Sequence, residues 1–145
     1  MKINHALTLV IALFLAKSVV KAQATPIPAA VTKAFVSRFP AAQNAEWREK
    51  TMNFTVFFTV NDRKCEAKFE KNGGWLSTEE SLAWDSLPGA VRDSFKLSKY
   101  ADWKGTSAYS LRKAEAAIQY HLVVTKSDMG RRILFYSPEG KLEKD

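Results

Sequence analysis

Two apolar stripes at helical spacing indicate two helices. The first stripe repeats every three or four residues and consists of Val31, Ala34, Phe35 and Phe39. Because apolar side chains at this spacing line one side of a helix, the stripe predicts a helix that begins near Pro28 and ends before Pro40, where proline cannot continue it. The second stripe, Val91 and Phe95, predicts a shorter helix that follows Pro88.

After each predicted helix, apolar residues alternate with polar ones, which is the pattern of β-strands with one buried face. The alternation predicts strands over residues 46–50, 53–60 and 64–71 in the first half of the chain and over 103–113, 118–126 and 131–137 in the second. Trp75 and Leu142 each begin a segment that is a candidate for a short fourth strand. Residues 77–84 are predicted to link the halves through a helical turn, because Ser77-Thr78-Glu79-Glu80 resembles a helix capping box.

The same motifs occur in the same order in both halves. The helix motif from Pro28 to Phe35 recurs from Pro88 to Phe95. The other matched pairs are Ala45-Glu46-Trp47 with Ala101-Asp102-Trp103, Phe54 to Phe58 with Tyr120 to Val124, and Phe69 with Phe135. These matches indicate an internal repeat with insertions in its connections. The predicted fold class is therefore α+β: a tandem repeat of a helix followed by an antiparallel β-meander, forming one open sheet with helices packed on one face.

The beginning of the chain has the pattern of a secretory signal peptide. A positive start is followed by an apolar run from Ala6 to Ala16, and small residues suited to cleavage precede the bonds after Ala22 and Ala24. The run is about 11 residues long, whereas a spanning helix needs about 20, so we expect no stable membrane insertion after cleavage. The predicted division is a signal peptide at 1–24, a first repeat at 25–76, and a second repeat with its linker at 77–145. The expected location is periplasmic or secreted.

The charge pattern argues against a nucleic-acid partner. Lysine and arginine outnumber aspartate and glutamate by 22 to 15, which gives a formal net charge of +7. Three of the lysines lie in the predicted signal peptide, so the mature chain has a net charge of about +4. Its charges of both signs are interspersed, which is typical of a solvated surface rather than of a stripe that follows phosphates.

Groups suited to catalysis are few. His121 is the only histidine outside the predicted signal peptide, and Cys65 is the only cysteine, so no intramolecular disulfide is possible. Strand alternation predicts that Cys65 and His121 lie on opposite sheet faces, which argues against a Cys–His pair. The sequence has neither the Gly-x-Ser-x-Gly pattern of hydrolases nor the Asp-x-Asp-x-Asp-Gly pattern of calcium loops. We therefore expect no catalytic residue, no metal site and no cofactor.

The order of these motifs resembles a known family. It comprises a Pro-x-x-Val-x-x-Ala-Phe helix, a Phe-Pro step, a Glu-Trp strand start, an aromatic strand, a Phe strand ending in Gly, and Leu-Pro-x-x-Val opening a second round. From Pro28 to Lys141 the chain resembles the PepSY-like family of small exported bacterial proteins, which are related in fold to beta-lactamase-inhibitor proteins. The resemblance implies a continuous sheet whose concave face grips a protein partner. This chain lacks the disulfide pair of those inhibitors, so inhibition of a beta-lactamase in particular is not expected.

Alternation also assigns side chains to the two faces of the predicted sheet. One dense apolar set is expected to pack under the helices; it consists of Phe54, Val56, Phe58, Tyr120, Leu122 and Val124. We call the face turned away from the helices the open face. Its predicted protein-binding residues are Phe57, His121, Val123, Arg132, Leu134 and Tyr136. Apolar side chains on the solvent side of an antiparallel sheet indicate an interaction site. The alternative is that residues 77–84 or 104–117 cover them.

A second hypothesis concerns the junction of the two repeats. Trp75 and Trp84 flank the predicted linker. A groove between the repeats near these two side chains would bind a small molecule or a glycan of the cell envelope instead of a protein.

Overall fold

The computed structural model describes residues 26–127 and 130–145. The predicted signal peptide lies outside these residues. The first half contains helix α1 (Ala29–Arg38) and strands β1 (Gln43–Glu49), β2 (Asn53–Val60), β3 (Arg63–Glu70) and β4 (Trp75–Leu82). After a 3-10 turn at Trp84–Ser86, the second half contains α2 (Gly89–Leu97), β5 (Lys104–Lys113), β6 (Gln119–Thr125), β7 (Arg131–Tyr136) and β8 (Leu142–Lys144).

The eight strands form one antiparallel sheet in which each strand pairs with the next in the chain. Both helices pack on the same face of this sheet, because the registers align the residues beneath α1 with those beneath α2. The predicted α+β class with one open sheet is thus confirmed. Both candidate fourth strands, β4 and β8, are also confirmed.

The first helix buries the apolar face of strands β2 and β3. Its Val31 and Phe35 face a cluster made of Phe54, Val56, Phe58, Cys65, Ala67 and Phe69. Phe35 meets the rings of Trp47 and Phe58 edge to face, with centroid separations of 5.3 and 5.1 Å. Aromatic pairs prefer this geometry, so it fixes how α1 lies on the sheet.

The second helix covers a separate cluster formed mainly by β5, β6 and β7. Val91 and Phe95 of α2 pack against Ala108, Leu122, Val124, Leu134 and Tyr136. The two clusters share no residue. The sheet therefore has two hydrophobic cores on one face, and the pairing of β4 with β5 joins the two halves through backbone hydrogen bonds.

A glycine turn supports the first turn of each helix. Gly73, between β3 and β4, has φ +95°, and a β-carbon there would lie 2.8 Å from the carbonyl oxygen of Ala30 in α1. Gly140, between β7 and β8, has φ +85° and approaches the carbonyl of Ala90 in α2 even more closely. Both positions need glycine because of their backbone angle and because no side chain fits beneath the helix.

The face assignment predicted for β7 is wrong. Leu134 and Tyr136 are fully buried under α2, and Arg132 shares their face, whereas Ile133 and Phe135 lie on the open face. The cause is turn length. Four residues separate the paired Thr59 and Lys64, but five separate Thr125 and Arg131. One additional residue shifts the strand by one position and reverses the face of every side chain.

The linker predicted at residues 77–84 is also wrong, because most of this segment belongs to β4. Its local sequence suits a helix start, but pairing with both β3 and β5 satisfies its backbone along the whole strand. Residues 104–117 do not cover the sheet either, since β5 occupies most of this range.

A pair of leucine-to-alanine variants tests the corrected face. Leu134 is fully buried and Leu97, at the end of α2, is 89% exposed. We expect Leu134→Ala to lower the free energy of unfolding by about 2–5 kcal/mol, since it leaves a cavity, and Leu97→Ala to change it by less than about 0.5 kcal/mol. Urea denaturation of the mature chain measures both values. A small change in the free energy of unfolding for both variants would contradict the burial of Leu134 under α2.

The burial of Tyr136 predicts a loss of stability in alkali. Burial raises the pKa of its hydroxyl above the usual value of about 10. Above pH 10 the unfolded chain therefore releases a proton that the folded chain retains, and the free energy of unfolding falls by up to ~1.4 kcal/mol per pH unit. Tyr136→Phe removes this contribution.

The measurement is the difference in melting temperature between the wild type and Tyr136→Phe from pH 8 to 11. Ionisation of Cys65, whose pKa burial also raises, occurs in both proteins and cancels. The variant should gain on the wild type above pH 10; a constant difference would contradict the buried position of Tyr136.

Candidate functional site

Among the described residues, no helix packs on the open face, since the buried residues of α1 and α2 belong to the clusters on the other side. The central side chains of the open face come from strands β2 to β7. They are Phe57, Glu66, Glu79, Tyr109, Leu111, His121, Val123, Ile133 and Phe135. Most are partly exposed, whereas His121 and Val123 are buried among their neighbours.

The first half of the open face is centred on Phe57. The guanidinium of Arg48 lies over its ring, 4.7 Å from the centroid. Beside Phe57 is a depression of about 210 Å³, whose wall includes Lys64, Glu79 and Tyr109. This cation–π contact holds the guanidinium over the face of the Phe57 ring. The result is a partly exposed aromatic side chain with room beside it for another group.

The second half is centred on His121 of β6. Its Nδ1 lies 3.1 Å from Oε2 of Glu79, which reaches across β5 from β4. Its ring meets Phe135 edge to face at a centroid separation of 4.3 Å. Within the described chain, Nε2 of His121 is buried without a hydrogen-bond partner. The contact with Glu79 therefore fixes the orientation of the imidazole.

Charged residues surround the apolar centre. Lys68 contacts Glu66 at 3.2 Å, and Lys144 lies over the ring of Phe135 at 5.7 Å. Lys113 and Arg131 also project on this side, according to their pairing with Ser77 and Thr125. An apolar centre with a charged rim is the usual anatomy of a protein interface.

The structure brings together only part of the predicted site. Phe57, His121 and Val123 lie on the open face as expected. The other three predicted residues are not on it: Leu134 and Tyr136 are core, and the Arg132 guanidinium lies 6.0 Å from the Trp103 ring centroid on the helix side.

Trp75 and Trp84 do not line a common groove as predicted. Trp75 packs on the first core under Arg38, and Trp84 packs on the second core against Phe95. Each tryptophan thus belongs to a different half.

Sequence reasoning missed Glu79, Tyr109 and Phe135. Glu79 was hidden because its segment was predicted to be a linker. Phe135 lies on the open face because the turn before β7 is one residue longer than the turn before β3. Tyr109 is brought beside His121 by the pairing of β5 with β6, a register that the sequence of either strand alone does not specify. Alternation along β5 predicts that Tyr109 and Leu111 share a face, but it does not determine which face of the sheet that is.

Within residues 26–127 and 130–145, no group of three or more His, Cys, Asp or Glu side chains is arranged to hold a metal ion. The same residues include no helix with the length and apolar character needed to span a bilayer.

Comparison with known families now places the chain. Residues 52–144 match the family described as "Putative beta-lactamase-inhibitor-like, PepSY-like". The chain belongs to this PepSY-like family. The resemblance inferred from the motifs is thereby confirmed. No curated protein matches the chain.

Two solved structures illustrate the fold. A BLIP-like protein from Bacteroides fragilis is 25% identical, with a TM-score of 0.77, over 84% of this chain and 86% of its own. A protein from Bacteroides eggerthii, described among "putative periplasmic proteins", is 19% identical with a TM-score of 0.78, over 83% of this chain and 88% of its own. The second likeness concerns fold alone.

Two glutamate-to-alanine variants test the role of Glu79. In Glu79→Ala, Nδ1 of the buried His121 loses its partner, so we expect a loss of about 1–3 kcal/mol in the free energy of unfolding. Glu66→Ala, on the directly paired position of β3, breaks a more exposed contact with Lys68 and should cost less than about 1 kcal/mol. Chemical denaturation at pH 7 measures both; equal losses would remove the special role of Glu79.

Proposed function

We propose that this chain is an exported, non-enzymatic binding module that holds a protein partner against its open face. The observation behind the proposal is the set of partly exposed apolar side chains there, Phe57, Tyr109, Leu111, Ile133 and Phe135, on a face that no described helix covers. A solvent-facing side of an antiparallel sheet is ordinarily polar, so such a set indicates a surface with a partner.

The composition of the open face favours a protein over a small molecule. Three aromatic rings, Phe57, Tyr109 and Phe135, spread from β2 to β7, and charged residues lie around them. Large aromatic anchors in the centre contribute much of the energy of protein interfaces, and polar and charged residues typically form the rim. His121 and Glu79 add a fixed polar pair within the apolar centre.

The comparisons support an inhibitor as the form of this binding. The B. fragilis relative is named BLIP-like, and the family description also refers to beta-lactamase inhibitors. We propose that the partner is an exported enzyme, reached after removal of residues 1–24. A periplasmic or secreted location is supported by the description of the B. eggerthii protein and by the signal-peptide pattern.

We also propose that the two halves, α1 to β4 and α2 to β8, arose as a tandem repeat; the predicted boundary between residues 76 and 77 lies within β4 (Trp75–Leu82). The order of one helix followed by four antiparallel strands occurs twice. The glycine turns support the same interpretation, since Gly73 contacts Ala30 and Gly140 contacts Ala90 at matching points of the two helices.

Capture from envelope extract tests the open face. Immobilised mature protein is incubated with extract of the native host, and bound proteins are identified and then titrated in purified form. We expect Phe57→Asp and Phe135→Asp each to weaken binding at least about tenfold, because each places a charge in the desolvated centre of the interface.

The matched control is Val36→Asp. Val36 is 57% exposed on the outer side of α1, away from the open face. This variant should bind as the wild type does, and melting curves should show that all three variants fold. Equal binding by all variants would overturn the assignment of the open face.

A further inference from the structure

A polar groove lies on the helix side of the sheet, in the strip between the two cores. It is lined by Arg38, Phe39, Trp75, Thr78, Glu80 and Arg112, which we call the seam groove, and its volume is about 290 Å³. Its floor is the junction of β4 and β5, where Thr78 pairs directly with Arg112. Neither apolar cluster extends over these polar residues.

Positive charge in the seam groove exceeds negative charge. Glu80 is its one acidic side chain, and its Oε1 contacts Arg63 at 2.8 Å. Within the part of the chain that the structure describes, Arg38 and Arg112 form no ion pair with a carboxylate. Two guanidinium groups without a counter-ion therefore line one small groove.

The side chains around these arginines are held in place. The guanidinium of Arg38 lies 3.5 Å from the ring centroid of Trp75, which packs on the first core. The indole Nε1 of Trp75 donates a hydrogen bond of 2.9 Å to Oγ1 of Thr78. Because this oxygen accepts from the indole, the hydroxyl hydrogen of Thr78 is available to a ligand.

We propose that the seam groove binds a small organic anion through Arg38, Arg112 and the hydroxyl of Thr78. Guanidinium groups match carboxylate and phosphate oxygens in pairs of parallel hydrogen bonds, which makes them suited to such a ligand. At about 30 Å³ for each water molecule, the volume holds about ten waters, which corresponds to an anion of about ten non-hydrogen atoms. A small hydroxy-dicarboxylate or a sugar acid has this size. The site is independent of the open face, which lies on the other side of the sheet.

The test follows the indole N–H resonance of Trp75 in an NMR titration of the mature protein. The resonance is assigned with Trp75→Phe, and the probes are tartrate, galacturonate and inorganic phosphate, each compared with chloride at equal ionic strength. We expect a saturable shift below about 10 mM with at least one oxyanion and none with chloride. The probe that saturates at the lowest concentration distinguishes a carboxylate source from a phosphate source.

Variants separate the site from general charge effects. Arg38→Gln and Arg112→Gln should each raise the dissociation constant at least tenfold, because each removes a charged pair of donors. Arg131→Gln, which removes the same charge from the open face, should leave the dissociation constant of the oxyanion unchanged. The absence of saturation with every oxyanion would overturn the proposal, as would equal effects of the three variants.

Discussion

Each helix of this protein begins against the backbone of a glycine turn, and this close contact fixes where the helix lies on the sheet. Gly73 and Gly140 bring their turns against the carbonyl groups of Ala30 and Ala90 in the first turns of α1 and α2. From these fixed starts, Val31 and Phe35 reach the first core, and Val91 and Phe95 reach the second. Each helix thereby covers the strands at the centre of its own half, and neither helix packs on the opposite face.

The parts of the fold that depend on local chemistry could be predicted from the sequence. Helix α1 lies between Pro28 and Pro40 as expected, and β2 matches its predicted range because an apolar residue occupies every second position from Phe54 to Val60. The error in β7 had a different origin: a face depends on the number of residues in the preceding turn, and sequence similarity between Phe69 and Phe135 obscured the additional one. Tyr136 instead holds the position in β7 that Phe69 holds in β3, opposite Tyr120 and Phe54 respectively.

The candidate site was harder to predict than the core for a physical reason. Apolar patterns report burial against the chain itself, so Phe54 and Leu122 could be identified from one strand each. The open face depends on pairs from separate strands, such as Glu79 with His121 and Arg48 with Phe57. Their strands are identifiable, but the register that brings them together is a tertiary property.

The separation of the two cores has a consequence for how this family can change. Each helix packs only against side chains of its own half. Strands β4 and β5 are joined by hydrogen bonds between main-chain groups, which every residue except proline can supply in full. A substitution that loosens one core therefore has no apolar path into the other. Thr78, Glu80 and Arg112 at the junction belong to neither core, so a substitution there leaves the packing of both cores intact.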